Sequence, residues 1–299
     1  MLRVHRELPF SALTRLAAVA VIALSLGGCE TVSSAVSSFN PFASPKASSD
    51  LSKDEPAELL FNDGLARLQN KNFDGAARKF MEVDKQYPYT AWSKRGLLLT
   101  AFAHYENRAY EDSISNGKRF VQLYPADKDA AYAQYLVGMS YFNQMPDITR
   151  DQERSQRALL AMDELINKWP KSEYVSDARQ RVTVARDQLA GKEMDIGRYY
   201  LERRNYPGAV NRFREVLMKY QTTRHTEEAL LRVTEAYMAM GVVPEAQTAA
   251  AVLGHNFPDS QWYKDAYKLL QSGGVEPRES ESSWISRAFR GARRSVGLQ

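Results

Sequence analysis

The chain has 299 residues, a formal net charge of +4, 44% apolar residues and a single cysteine. A charge so near balance at this length gives no electrostatic argument for a nucleic-acid partner. One thiol excludes an internal disulfide and a thiolate metal cluster, so packing has to hold the fold.

The first predicted element is an export signal over residues 1–28. Arg3, Arg6 and Arg15 precede or open an apolar run from Leu16 that is too short for an ordinary membrane-spanning helix and ends at Leu26-Gly27-Gly28-Cys29. The small glycines admit the backbone to a peptidase, and the thiol is the nucleophile that takes up diacylglycerol. The expectation is a mature lipoprotein beginning at Cys29, with S-diacylglycerol and N-palmitoyl groups there and no other cofactor. Glu30 in place of aspartate, by resemblance to bacterial lipoproteins, argues against retention in the inner membrane. The expected location is the periplasmic face of the outer membrane of a Gram-negative bacterium, held by the lipid. Loss of residues 1–28 removes three arginines and one glutamate, so the +4 balance falls to +2. Residues 29–56, with Pro41, Pro45 and Ser48-Ser49, read as a flexible tether whose composition cannot offset its ordering entropy.

A repeat follows. Aromatic–proline pairs recur at Tyr87-Pro88, Tyr124-Pro125, Trp169-Pro170 and Phe257-Pro258, with Tyr220-Gln221 where one repeat has lost its proline; the spacings are 37, 45, 51 and 37. Periods in this range indicate stacked helical hairpins. The tetratricopeptide register asks for small residues at repeat positions 8 and 20, a large apolar residue near 24 or 27 and proline at 32. Repeat 1 supplies Gly64, Ala76, Phe80 and Pro88. Repeat 2 is looser, with Ala101, Ser113, Gly117, Phe120 and Pro125. Repeat 3 has Gly138, Ala158, Met162 and Pro170 after eight extra residues from Gln144 to Asp151. Repeat 4 has Gly197, Ala209 and Phe213, and repeat 5 has Ala246, Leu253 and Pro258.

Helices are predicted over Ala57–Gln69, Phe73–Gln86, Ala91–Asn107, Tyr110–Leu123, Asp129–Asn143, Arg150–Lys168, Ser172–Arg204, Pro207–Tyr220, Thr226–Met240 and Pro244–Asn256. No strand is expected. The fold class is all-α, a right-handed α-solenoid of five tetratricopeptide-like hairpins. Repeats 1–3 occupy residues 57–171 and repeats 4–5 residues 172–272, joined by the long helix from Ser172, which Gly191 and Gly197 weaken. In the tail, residues 273–299, Trp284, Ile285, Ala288, Phe289 and Ala292 share one helical face, and Arg287, Arg290, Arg293 and Arg294 fill much of the rest. This cationic amphipathic helix is suited to anionic lipid or to another subunit, and a disordered basic tail is the alternative.

No catalytic or metal constellation emerges. His104, His225 and His255 are far apart, no glycine-rich phosphate loop occurs, and Asp163-Glu164 and Glu227-Glu228 read as solvated helix faces. An enzyme reading survives only as a peptidoglycan-acting protein with an unrecognised carboxylate site.

The run Tyr199-Tyr200-Leu201-Glu202-Arg203, the following Ala209-Val210-Asn211-Arg212 and the Phe73-Asp74-Gly75-Ala76-Ala77 helix start, together with signal, tether and repeats, carry a resemblance. The chain resembles the BamD (ComL) family, lipoproteins of the outer-membrane β-barrel assembly machine, over nearly all of its mature length. The resemblance implies a non-enzymatic scaffold whose C-terminal repeats bind the last POTRA domain of the barrel subunit BamA, alongside other Bam lipoproteins. It also implies N-terminal repeats that receive the C-terminal signal of unfolded barrel proteins. Arg212, with Tyr199, Tyr200 and Arg203, occupies the partner-binding stretch; an intramolecular ion pair is the other reading of Arg212. First-helix positions 5, 9 and 12 face the concave side and give Phe61, Phe102, Tyr105, Tyr135 and Phe142, with Arg95 nearby. Such a groove suits an extended peptide ending in an aromatic residue and a carboxylate, although rings at this spacing also form inter-repeat core. A pilotin for a secretin is the rival within the same class.

Overall fold

The aromatic–proline pairs end helices for a steric reason: the proline ring disfavours the helical region for the residue before it. In the computed structural model, which describes residues 55–296 and their side chains as far as Arg290, Tyr87, Tyr124, Trp169 and Phe257 sit at φ from −127° to −138° and ψ from 55° to 62°. Each donates its N–H to the carbonyl four residues back. Tyr220 breaks its helix at φ −129° and ψ 36° with no proline after it. Its carbonyl accepts the Thr223 hydroxyl at 2.8 Å, the bond that Thr90 makes to Tyr87 in the first repeat. The expected signal, Cys29 and almost all of the tether lie outside the described residues.

Among the described residues there are twelve helices and no strand: α1 Glu55–Gln69, α2 Phe73–Gln86, α3 Ala91–Glu106, α4 Tyr110–Leu123, α5 Ala130–Phe142, α6 Glu153–Lys168, α7 Val175–Glu202, α8 Tyr206–Lys219, α9 Thr226–Ala239, α10 Val243–Asn256, α11 Gln261–Ser272 and α12 Trp284–Val296. They belong to one compact unit. Two differences from expectation have local causes. α6 begins three residues late, because the Asp147 and Asp151 carboxylates accept the N–H groups of Thr149 and Glu153 and hold a turn ahead of it. α11 was not expected; Ser260 caps it by accepting the Trp262 N–H at 3.2 Å, and Ala266 and Leu270 bury one of its faces.

The repeat register is a packing rule. A Cβ on Gly64 would come within 2.6 Å of the Phe80 ring, one on Gly138 within 2.7 Å of Met162 and one on Gly197 within 2.4 Å of Phe213. Each large side chain therefore fills the notch left by its glycine and is itself fully buried, which contributes roughly 1.5–3 kcal/mol per ring or thioether. Turns between the two helices of a hairpin repeat as well. Lys71, Arg108, Arg204 and Gly241 all take left-handed φ of 57° to 72°, and the next residue donates five back to close the helix end.

First helices of successive hairpins touch in a row, α1 to α3, α3 to α5, α5 to α7 and α7 to α9, so they form the inner side. Second helices splay apart on the outer side. The 28-residue α7 belongs to both parts of the stack, packing on α6 near its start and on α8 near its end. The extra segment after α5 lies against it: Gln188 donates to the Pro146 carbonyl at 2.7 Å and Lys192 to that of Thr149 at 2.9 Å.

Candidate functional site

The inner side between α3, α5 and α7 is a sheet of rings. Phe102 meets Tyr132 at 6.5 Å between centroids, Tyr132 meets Tyr174 at 5.2 Å, and Tyr174 stacks on Tyr135 at 5.1 Å. Such offsets favour aromatic pairs beyond their burial. Two hydrogen bonds fix the register. The Tyr135 hydroxyl donates to Asp177 Oδ2 at 2.7 Å, and Asn143 Nδ2 donates to the Tyr105 hydroxyl at 3.0 Å. Arg181 forks onto the same Asp177 with Nε 3.1 Å and Nη2 3.2 Å away, while its guanidinium lies 5.0 Å from the centre of the Phe142 ring.

The electrostatics follow from partial burial. Desolvation first, then the nearby acid Glu173, pushes the Tyr174 hydroxyl up to about 12, and desolvation likewise raises Tyr105, Tyr132 and Tyr135. These hydroxyls remain protonated donors at neutral pH. Burial works against ionisation of Asp177, but the hydrogen bonds from Arg181 and Tyr135 outweigh it and hold the carboxyl below its ordinary value. The surface thus offers apolar ring faces, fixed hydroxyls and a partly exposed cation paired through two contacts with Asp177.

Of the residues expected to line a groove, Phe102, Tyr105, Tyr135 and Phe142 come together here. Phe61 does not: it is 5% exposed and packs between Phe80 at 5.4 Å and Trp92 at 5.1 Å, where the first hairpin meets the second. Arg95 stays at that end too, its guanidinium 5.9 Å from the Trp92 ring centre. Sequence reasoning missed Tyr132, Tyr174, Asp177 and Arg181. A signal existed, since Arg95, Tyr132 and Asp177 each stand seven residues after the proline of an aromatic–proline pair. The third pair opens α7, which reads as a linker only if its start is left out of the repeat.

The second expected site lies where α7 meets α8. Arg212 Nη1 is 3.3 Å from Glu193 Oε2, an intramolecular ion pair at the mouth of a cleft that Tyr200, Asn211, Glu215 and Lys219 also line. Arg203 sits 4.4 Å over the ring of Tyr199, which is half exposed and meets Tyr200 edge-on at 5.9 Å. A partly exposed pair such as Arg212–Glu193 contributes about 0–1 kcal/mol, so little stability is lost when either member turns to a partner. Among the described residues no group of three or more His, Cys, Asp or Glu is placed to hold a metal, and no helix is long and apolar enough to cross a membrane.

A family model described as YfiO, outer membrane lipoprotein, matches residues 53–253. The match spans both sites and ends within α10. The outer membrane protein assembly factor BamD of Caulobacter vibrioides is 44% identical over 225 residues, 75% of this chain and 74% of that one. The assembly factor BamD of Rickettsia prowazekii is 37% identical over 257 residues, 86% and 96% of the two chains. That of Neisseria meningitidis serogroup A is 29% identical over 228 residues, 73% and 85%. These names are those of assembly factors rather than of enzymes or pilotins.

Proposed function

We propose, from the premise that the chain belongs to the YfiO family of outer membrane lipoproteins, that this assembly factor receives unfolded barrel strands on its inner aromatic face and holds the barrel subunit BamA through repeats 4 and 5. The observation that carries the reading is the ring sheet from Phe102 to Tyr135, bordered by Phe142 and Arg181. An unfolded barrel strand alternates apolar and polar side chains. Its apolar edge lies across the rings, and a terminal carboxylate is drawn to Arg181 without displacing Asp177. Because a strand has to leave for the growing barrel, binding is weak, in the micromolar range or about −8 kcal/mol. Arg212 exchanges its internal partner Glu193 for an acid of BamA. Lipid on Cys29 holds the protein to the periplasmic face of the outer membrane, and mass spectrometry of the mature N-terminus tests that anchor. No further cofactor takes part, and other lipoproteins of the assembly complex complete the set of partners.

The deciding experiment places a photo-crosslinking residue at Tyr105 or Phe142 and offers peptides from the C-terminus of an outer-membrane barrel. Labelling is expected to fall when the terminal aromatic residue is deleted or the peptide is scrambled. Unchanged labelling would return these rings to a purely structural role. In parallel, Arg212→Glu should lower co-purification with BamA far more than it lowers the melting temperature; equal losses would make Arg212 a packing residue.

A further inference from the structure

Among the described residues the outer side of the stack has two grooves with a cation beside a tyrosine floor, and one of them is filled. Between α8 and α10, with α9 as floor, lies the chain's own α12. The Trp284 indole donates to the Tyr237 hydroxyl at 3.0 Å, Arg214 of α8 lies 5.0 Å from the centre of the indole ring, and Ile285 and Phe289 are buried beneath. Glu245 of α10 accepts the Ser283 hydroxyl at 2.6 Å, and Ser283 in turn accepts the Ile285 N–H at the helix start. The apolar face expected to meet lipid or another subunit is therefore occupied within the chain.

Two hairpins earlier the same positions recur. Tyr141 on α5 stands three residues after Gly138, as Tyr237 stands three after Thr234, the same repeat position. Lys118 on α4 stands seventeen residues after Ala101, as Arg214 stands seventeen after Gly197. Lys118 Nζ donates to the Tyr141 hydroxyl at 2.9 Å, the contact that Trp284 makes to Tyr237 in the filled groove. Here α4, α5 and α6 enclose an open cleft of about 780 Å³. Leu160 on its α6 wall is an apolar side chain left 68% exposed. In the groove between α2 and α4 the floor position is His104, not tyrosine, and Arg119 bridges to Asp84 at 2.6 Å.

One position differs in sign between the grooves of Tyr141 and Tyr237; at the third tyrosine of this register, Tyr200 on α7, the neighbouring α6 has Asp163 in place of the cation. Where Glu245 receives Ser283, the open cleft has Arg157, one residue before Ala158 as Glu245 is one before Ala246. Arg157 pairs along its own helix with Glu153, at 2.7 and 2.9 Å, in an exposed pair of small strength, and its side chain also reaches the Tyr141 hydroxyl on the cleft floor. Lys118 adds positive charge at one end of the cleft, while at the other Lys168 is paired with Glu164 at 2.5 Å.

We propose that the α4–α5–α6 cleft is the docking site of an amphipathic helix from a partner protein, carrying an aromatic side chain against Lys118 above the buried Tyr141 and, one residue before it, a carboxylate on Arg157. The occupant resembles α12 in shape and differs from it at the place of Ser283. The surface lies opposite the aromatic inner face, so it is a separate contact and holds whether or not that face receives substrate.

A labelled synthetic peptide of residues 279–296 with Ser283→Glu is titrated against the detergent-solubilised full chain and followed by fluorescence anisotropy. Saturable micromolar binding is expected, with the unaltered peptide at least about tenfold weaker, the scale of one rim or buried charge pair. Arg157→Glu should invert that preference by restoring the sign found at Glu245, and Leu160→Glu should weaken both peptides. Both positions are on the exposed face of α6, and circular dichroism checks the fold of each variant. Binding that is absent, or that ignores Arg157→Glu and Leu160→Glu, overturns the proposal. So does a loss caused by Arg214→Ala, which would place the peptide in the groove of α12. Crosslinking at Tyr105 reads the inner face separately.

Discussion

The two parts of the stack are built from the same hairpin but assemble their cores differently. In repeats 1–3 the buried residues fall into separate clusters: one around Leu97, Phe120 and Ala133, another around Ile114, Val137 and Ala158, a third around Met162, Leu165 and Ala178. From Ala190 onward, α7 through α12 share one cluster, which runs from Met194 and Phe213 to Leu270 and Phe289. The difference lies in the tail. A pure solenoid has contacts only between neighbours, whereas Trp284 reaches back 47 residues to Tyr237, and Ser280 bonds Thr248 across 32. The C-terminal part is thereby sealed into a rigid platform beside Arg212. The N-terminal part keeps the nearest-neighbour character of a solenoid, in which local opening costs less than global unfolding.

The sharpest way to break this contrast is Phe213→Ala. It empties the centre of the shared core and should cost about 3–5 kcal/mol. Hydrogen exchange is expected to show α7 to α12 losing protection together while α2 to α5 keep theirs; a uniform loss would mean that the two cores are one. Ile285→Ala comes next. Its side chain is fully buried, and its truncation should lower stability by about 2–4 kcal/mol, expose α12 to protease and leave the ring sheet intact by near-ultraviolet circular dichroism.

On the N-terminal side, Tyr135→Phe removes one donor from Asp177 and should shift the urea midpoint by the equivalent of about 1 kcal/mol. It also predicts a pH signature. The Asp177 carboxyl sits below its ordinary value of 3.8, so its contribution is complete above that value and disappears as pH falls through the depressed one. Tyr135→Phe should therefore reduce the loss of stability below about pH 4. The smallest effect has the opposite sign. Arg204 holds a left-handed φ of 57°, a conformation that costs a side-chain-bearing residue roughly 1 kcal/mol, and Arg204→Gly should raise the melting temperature slightly.

Most of this architecture was legible because the periodic signals and the physical constraints coincide. Gly64 with Phe80, Gly197 with Phe213 and the aromatic residue before each proline are at once pattern and packing. α11 lies beyond the last aromatic–proline pair and so outside the repeat signal, although Ser260 before it and Gly273-Gly274 after it are start and stop signals. Half of the ring sheet was legible for the same reason that half was not. Positions counted within a repeat found Tyr105, Tyr135 and Phe142, but Tyr174, Asp177 and Arg181 precede the fourth repeat's own register by about two turns or more. Phe61 shows the limit of counting: the same repeat position is partly exposed in Tyr135 and buried in Phe61, because Trp92 and Phe80 close over it.

α7 also has a mechanical meaning. Twenty-eight helical residues make a rod of about 42 Å, and its two ends are embedded in different cores with no break between. Glu193, the partner of Arg212, and Asp177, the anchor of Tyr135, are sixteen residues apart on that rod, about 24 Å. There is no swivel along this span, so a pull at one end is felt at the other as bending or axial slip of a single stiff member. A load applied at the Glu193 end would arrive beneath the rings of Tyr135 and Tyr174, and it would arrive without any loop having to rearrange.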